Sequence, residues 1–143
     1  MKKILVGLDG SSHQSVVLAT ACDLAQRLAA QLVLFRAVPL PAELPANAMG
    51  VTPVALGDLL IEGAKQGLAE VARNLTPSLV ASTRVELGSP WRTICETATV
   101  EKVDLIIIGS HGYGGLDRVL GTTAGKVVNH ADRSVMVVRD TPA

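Results

Sequence analysis

The chain has 143 residues, a length that suits one compact domain, and 48% of them are hydrophobic although only 2% are aromatic. This wealth of aliphatic and β-branched residues is typical of buried parallel strands covered by helices. The formal net charge is +0, so composition argues against nucleic acid or an anionic membrane as the partner. The apolar runs are also too short to span a membrane.

The N-terminus and the cysteines indicate a cytoplasmic protein. Lys2 and Lys3 precede an apolar run that Asp9 interrupts before it reaches the length of a signal-peptide core. Cys22 and Cys95 fall in predicted helices without metal-ligand spacing. We interpret them as small buried hydrophobic residues in a reducing compartment, rather than as a disulfide or redox pair.

Predicted strands and helices alternate along the chain. The strands are residues 3–8, 32–38, 81–87, 103–108 and 134–139. Helical periodicity follows each of the first four strands, and the irregular, proline-rich segment 39–53 precedes the second helix. This order predicts a single α/β domain over 1–143, with a parallel sheet, right-handed crossovers and helices on both faces.

Three helix starts carry local signals. Ser11 with Gln14 predicts a capping box at the first helix. Ser89 followed by Pro90 predicts an N-cap and a first helical residue for the third helix. Thr122 or Thr123 is predicted to cap the fourth helix, which runs to about Ala131.

Strand patterns predict the order of the sheet. Residues 81–87 alternate between apolar and polar side chains, as an edge strand does, whereas residues 103–108 are nearly all apolar and therefore central. Polar, glycine-bearing loops follow the first and fourth strands, and ligands bind such sheets outside the carboxyl ends of neighbouring strands. An open five-stranded parallel sheet of order 3-2-1-4-5 satisfies these conditions.

This order leaves the apolar fifth strand at the other edge. An uncovered apolar edge invites pairing with another chain. We therefore predict a homodimer joined through strand 5, from Val135 to Val138.

The segment 109–123 has the composition of a phosphate cradle. Gly109, Gly112, Gly114 and Gly115 let backbone N–H groups approach one point without obstruction by a Cβ atom. The next helix begins near Thr122, where free amides and the helix dipole favour an anion. A flexible loop that only turns the chain is the alternative. The segment is neither a Walker motif nor the dinucleotide fingerprint.

Four segments resemble the universal stress protein family. They are 2–11 (KKILVGLDGS), 103–112 (VDLIIIGSHG), 134–139 (SVMVVR) and the turn Gly88-Ser89-Pro90. The resemblance spans essentially the whole chain and implies a Rossmann-like fold, similar to adenine nucleotide alpha hydrolases. It further implies an ATP-binding subgroup, with magnesium, that serves in stress response or regulation.

The nucleotide-binding members of the family have Gly, two residues, Gly, nine residues, Gly, then Ser or Thr. Gly109 and Gly112 match the first part, but only eight residues then precede Gly121-Thr122. The loop between Tyr113 and Leu120 must therefore follow a tighter path than in those members.

The resemblance also implies a role for each matching residue. Adenine would be recognised by the backbone of Ala37, with Gly7 and Ile108 lining the base pocket. Asp9 would contact the nucleotide, unless it serves only as an acid at a helix N-terminus. The ribose and phosphates would lie along Gly109, His111, Gly112, Gly121, Thr122 and Thr123. The imidazole of His111 need not take part, because its backbone alone fits that role.

No catalytic residues are predicted. Asp9, His111 and Asp117 are not arranged in a hydrolytic signature, and no zinc ligand set or Ser/His/Asp arrangement stands out. The first hypothesis is an ATP-binding regulatory module with at most weak hydrolysis. A dimeric interaction module of the same fold, whose shortened loop no longer holds a nucleotide, is the alternative. AMP and cyclic nucleotides are not distinguished from ATP at this stage.

Overall fold

A computed structural model of the chain describes residues 1–39, 52–110 and 120–139. Five strands, all paired in parallel, form the sheet: β1 (Lys3–Gly7), β2 (Gln31–Val38), β3 (Val80–Leu87), β4 (Leu105–Gly109) and β5 (Ser134–Val138). Four α-helices connect them: α1 (Gln14–Leu28), α2 (Pro53–Arg73), α3 (Pro90–Val100) and α4 (Thr122–His130). A short 3₁₀ turn, Pro77–Leu79, precedes β3.

The strand order is β3-β2-β1-β4-β5, which confirms the predicted sheet. β1 is the central strand and pairs with β2 on one side and β4 on the other. The alternating strand β3 and the apolar strand β5 are the two edges. The carboxyl ends of β1, β2 and β4 consequently lie side by side at one end of the sheet.

Two hydrophobic layers cover the faces of the sheet. On one face α1 and α2 pack through Val17, Ala21 and Leu68. On the other face α3 and α4 pack through Ile94 and Val127. Strand residues alternate between the two layers, since successive side chains of a strand point to opposite faces.

The starts of α1 and α4 differ from the local predictions. α1 has His13 as its N-cap with no side-chain cap, so Ser11 does not form the predicted box; instead Gln14 Oε1 accepts a 2.8 Å bond from the amide of Gly10. The N-cap of α4 is Gly121 rather than a threonine. α2 begins at Pro53, the last residue of the predicted irregular segment, and Thr52 accepts a 3.1 Å hydrogen bond from the amide of Ala55. A proline is well tolerated at a first helical position.

The third helix begins as predicted, with Ser89 as N-cap and Pro90 as the first residue. Cys22 and Cys95 are unpaired thiols that are partly exposed, not fully buried as expected. Burial still raises the pKa of both thiols. Among the described segments, no helix is long and apolar enough to cross a membrane.

Candidate functional site

A cavity of about 510 Å³ opens at the carboxyl ends of β1, β2 and β4. This is the position where open α/β sheets bind their ligands. Its wall includes most of the residues that the sequence predicted for the site: Gly7, Asp9, Ala37, Ile108, Gly109, Thr122 and Thr123. These residues come from four separate stretches of the chain, and the strand order brings them together.

The remaining predicted residues lie beside the cavity or outside the described residues. The amide of Gly121 donates a 2.9 Å hydrogen bond to the carbonyl of Ser110, which joins the start of α4 to the end of β4. His111 and Gly112 fall in the segment 111–119, outside the described residues.

The apolar part of the cavity lies between α3 and the ends of β1, β2 and β4. Ala37, Ile94 and Ile108 line it, and Gly7 keeps it open. A Cβ atom at Gly7 would lie 3.1 Å from Cγ2 of Ile108 and 3.5 Å from Cδ1 of Ile94. A flat apolar group fits such a slot better than a hydrated one.

The loop after β1 holds its carboxylate in a defined position. Oδ1 of Asp9 accepts hydrogen bonds from the amide and the hydroxyl of Ser11, at 2.9 and 2.7 Å. Gly10 adopts a φ of +77°, which favours glycine. Asp9 therefore stabilises the turn rather than the first turn of α1, which contains no acidic residue.

The start of α4 supplies hydrogen-bond donors on the other side of the cavity. Gly121 caps the helix without a side chain, and the first amides of an α-helix have no intrahelical partner. Within the part of the chain that the structure describes, the hydroxyls of Thr122 and Thr123 form no hydrogen bond. Amides, hydroxyls and the helix dipole together favour an anion here.

Sequence reasoning missed several lining residues, of which Arg36 is the most informative. Arg36 is the only charged residue of β2, and it lines the cavity near the end of this otherwise buried strand. A single charged side chain near the carboxyl end of an apolar strand was the sequence signal that could have identified it as a cavity residue. Pro90 and Ile94 of α3 were also missed, because their contribution depends on how α3 packs against the sheet.

The described residues contain no group of three or more His, Cys, Asp or Glu side chains that could hold a metal ion by itself. Asp9 is the carboxylate in the cavity wall. Magnesium commonly combines one or two carboxylates with phosphate oxygens of a substrate. The cavity therefore suits a cation that arrives with a phosphate ligand.

Comparison with known proteins gives a consistent assignment. The sequence model of the Universal stress protein family matches residues 1–139. The chain is 38% identical to Universal stress protein A homolog 2 of Coxiella burnetii, over 96% of this chain and 94% of that protein. The structure of universal stress protein UspA from Lactobacillus plantarum superposes with a TM-score of 0.80 at 28% identity, over 96% and 97% of the two chains.

Two more distant structures share the fold. One is a universal stress protein in complex with cAMP, at a TM-score of 0.58, 20% identity and 96% coverage of both chains. The other is the universal stress protein from Archaeoglobus fulgidus in complex with dAMP, at a TM-score of 0.67 and 19% identity, covering 97% of this chain and 98% of that one. From the family match over nearly its whole length, the chain belongs to the universal stress protein family.

Proposed function

We propose that this protein binds an adenine nucleotide in the cavity, ATP with magnesium in the first instance, and acts as a regulatory module of the stress response in the cytoplasm. The observation that carries the proposal is the cavity itself. It joins an apolar slot at Ala37 to the N-terminus of α4 at Thr122, across the exit of β1.

Each part of the cavity suits one part of the ligand. The base would lie in the slot beside Gly7 and Ile108, within reach of the backbone of Ala37. The outer phosphates would lie at Gly121, Thr122 and Thr123, and the inner ones along Gly109, His111 and Gly112. Adenine is flat and apolar on its faces, so it suits the apolar slot. The triphosphate is anionic, so it suits the N-terminus of α4.

Asp9 would hold the magnesium ion. Its Oδ1 is engaged by Ser11, and Oδ2 forms no hydrogen bond with any described residue. A free carboxylate oxygen beside a phosphate site is a suitable magnesium ligand. When bound, magnesium would neutralise phosphate charge, and any hydrolysis would be weak at most.

The two distant structures in complex with cAMP and dAMP support this proposal at the level of the fold. Both ligands contain adenine and a single phosphate. The choice among ATP, AMP and a cyclic nucleotide therefore depends on the outer phosphate contacts at Thr122 and Thr123.

Calorimetry with ATP and with AMP, in the presence of magnesium, tests the proposal. Replacing both threonines, Thr122→Val and Thr123→Val, should weaken ATP binding about tenfold, which corresponds to about 1.4 kcal/mol. AMP binding should change little, because AMP has no outer phosphates. Thr99→Val, an exposed threonine on α3 whose hydroxyl bonds to a helix carbonyl, is the matched control.

The alternative is a dimeric interaction module that binds no nucleotide. The spacing between Gly112 and Gly121 favours it, because it is one residue shorter than in the nucleotide-binding members of the family. Analysing any nucleotide released from freshly purified protein separates the two functions. Wild-type protein that releases no nucleotide and shows no heat of binding at millimolar ATP with magnesium would contradict the proposed function and favour the interaction module.

We also propose that the protein forms a homodimer through β5. Val135, Met136 and Val137 are partly exposed at the edge of the sheet, where backbone groups are available for pairing. Sedimentation velocity at micromolar concentration should give a dimer. Met136→Lys should shift it toward monomer, whereas Val100→Lys, at a residue that is 67% exposed at the end of α3, should not. A stable wild-type monomer would contradict this assembly.

A further inference from the structure

Arg36 packs against the loop after β1 in the cavity wall. A Cβ atom at Gly10 would lie 2.9 Å from Nη2 and 3.0 Å from Cζ of Arg36, so the guanidinium packs directly against the backbone of Gly10. On another side, a Cβ atom at Gly67 of α2 would lie 3.6 Å from Nη1. Any side chain at residue 10 would occupy the space that the guanidinium now takes. Gly10 therefore leaves the space that this guanidinium occupies, and a Cβ atom at Gly67 would lie in van der Waals contact with it.

No carboxylate among the described residues pairs with this guanidinium. Glu86 on β3 is in register with Ala37, so it lies on the opposite face of the sheet, where it accepts a 2.7 Å bond from Arg84. Asp9 also lines the cavity, but it forms no ion pair with Arg36, and its Oδ1 is bonded to Ser11. Arg36 is half-buried, and a half-buried cation without an acceptor gains most from an anion that enters the cavity.

The contact with Gly10 places the guanidinium of Arg36 beside the exit of β1, which a bound nucleotide would cross. β1 separates β2 from β4, and neighbouring strands are about 4.8 Å apart, so the ends of β2 and β4 lie about 10 Å from each other. A nucleotide that reaches from Ala37 to Thr122 must cross the exit of β1. The sugar is the part between base and phosphates, and Gly10, against which Arg36 packs, belongs to that exit.

We propose that Arg36 binds a phosphate carried on the ribose, at the 2′ or the 3′ position, and so selects ribose-phosphorylated adenine nucleotides. This inference rests on the proposed adenine-nucleotide site. An arginine next to the ribose hydroxyls is also how dinucleotide-binding folds accommodate a 2′-phosphate. The guanidinium can donate two parallel hydrogen bonds to such a phosphate, which a lysine cannot.

Calorimetry with three probes tests this: AMP, adenosine 2′,5′-bisphosphate and adenosine 3′,5′-bisphosphate. Wild-type protein should bind one of the bisphosphates at least tenfold more tightly than AMP, and which of the two is preferred identifies the position. Arg36→Gln should remove the preference, so that the variant binds AMP and both bisphosphates with affinities that agree within about twofold. Arg73→Gln is the matched control, since Arg73 is exposed on α2 and does not line the cavity.

Arg36→Lys keeps the positive charge but not the planar fork, so it should retain only part of the preference. It also serves as the deciding variant if Arg36→Gln does not fold, as judged by circular dichroism and thermal unfolding. In that case full retention of the preference in Arg36→Lys overturns the assignment of a bidentate contact.

Other outcomes overturn the inference in distinguishable ways. Equal affinities of wild-type protein for AMP and both bisphosphates exclude a ribose-phosphate contact while leaving the adenine site intact. An equal loss for all three probes in Arg36→Gln assigns Arg36 to the 5′-phosphate or to packing alone. If no probe binds the wild-type protein, the proposed function fails and this inference fails with it.

Discussion

Glu101, at the end of α3, accepts a 2.9 Å hydrogen bond from Nη1 of Arg84 on β3. Its other carboxylate oxygen accepts a 3.3 Å bond from Nζ of Lys3, at the start of β1. One carboxylate thus ties the end of a helix to two strands. Because Lys3 begins its strand, this contact lies toward the end of the sheet opposite the cavity, and its loss should affect stability without affecting the ligand site.

Glu101→Gln should lower the free energy of unfolding by about 1 kcal/mol at pH 7, the upper range for partly exposed ion pairs. The hydrogen bond from Arg84, followed by the one from Lys3, holds the pKa of Glu101 below its ordinary value of 4.5. A carboxyl group whose pKa is lower in the folded than in the unfolded protein stabilises the fold at any pH above its unfolded-state pKa. This stabilisation is lost as the pH falls through the folded-state pKa. Urea unfolding from pH 7 to pH 3 should therefore show the difference from wild type shrinking below about pH 4.5.

Glu96→Gln is the matched control for this change, because Glu96 is exposed on the same helix. Its effect at pH 7 should be clearly smaller. A Glu101→Gln penalty that is the same at pH 3 as at pH 7 would show that the charge of the carboxylate is not responsible.

Asp104 connects the starts of two neighbouring strands. Its Oδ2 accepts hydrogen bonds from the amides of Lys2 and Lys3, at 2.7 and 3.0 Å, and these bonds lower the pKa of the carboxyl group. Asp104→Ala should increase hydrogen exchange at these two amides. In the wild-type protein their protection should also decline as the pH falls through the lowered pKa. Asp104→Asn, which keeps an acceptor oxygen, should retain more protection than Asp104→Ala, and equal exchange in both variants would contradict the contact.

Arg133 closes the carboxyl end of α3 from outside the helix. Its Nη1 donates to the carbonyls of Ala98 and Val103, at 2.8 and 2.9 Å. Arg133→Met should lower the free energy of unfolding by about 1–3 kcal/mol, since two carbonyls lose a charged donor. Thermal or urea unfolding measures the change. Asp132→Asn, which removes only the exposed ion-pair partner of Arg133, should have no effect beyond experimental error; an equal loss in both variants would assign the stabilisation to the ion pair.

The sheet was predictable because its strands differ in their patterns. The apolar run before Gly109 indicates a central strand, and the alternation around Arg84 indicates an edge. The order then follows because the glycine-bearing loops after the first and fourth strands require these two strands to be neighbours. Helix starts were less predictable because several candidate caps lie side by side. At α4 the choice among Gly121, Thr122 and Thr123 depends on the 2.9 Å bond from Gly121 to Ser110, a contact between two elements.

The sequence predicted which loops form the cavity, but it did not predict every residue that lines the cavity wall. Asp9 and Thr122 stand out because they follow strands in glycine-bearing segments. Arg36 did not, because its importance depends on a tertiary contact with Gly10, and strand periodicity carries no information on that contact. The sequence pattern also gave no exact start for α2, since Pro53 both ends an irregular segment and begins a helix.

Gly7 offers the sharpest test of the apolar slot. Gly7→Ala places a methyl group 3.1 Å from Cγ2 of Ile108 and 3.5 Å from Cδ1 of Ile94, inside the part of the cavity assigned to the base. We expect adenine-nucleotide affinity to fall about tenfold, or about 1.4 kcal/mol, in calorimetry. The loss should be similar for ATP and AMP, because both carry the same base.

Gly63→Ala is the matched control, and it carries its own prediction. Gly63 lies within α2, and a Cβ atom there would have nothing within 4 Å. Alanine is favoured over glycine within a helix, so this change should raise the free energy of unfolding by about 0.5–1 kcal/mol and leave nucleotide affinity unchanged. If Gly7→Ala and Gly63→Ala both leave affinity at the wild-type value, the base does not occupy the slot beside Ile108. If Gly7→Ala lowers affinity while its thermal unfolding remains close to that of the wild type, the loss arises in the slot and not from a weakened fold.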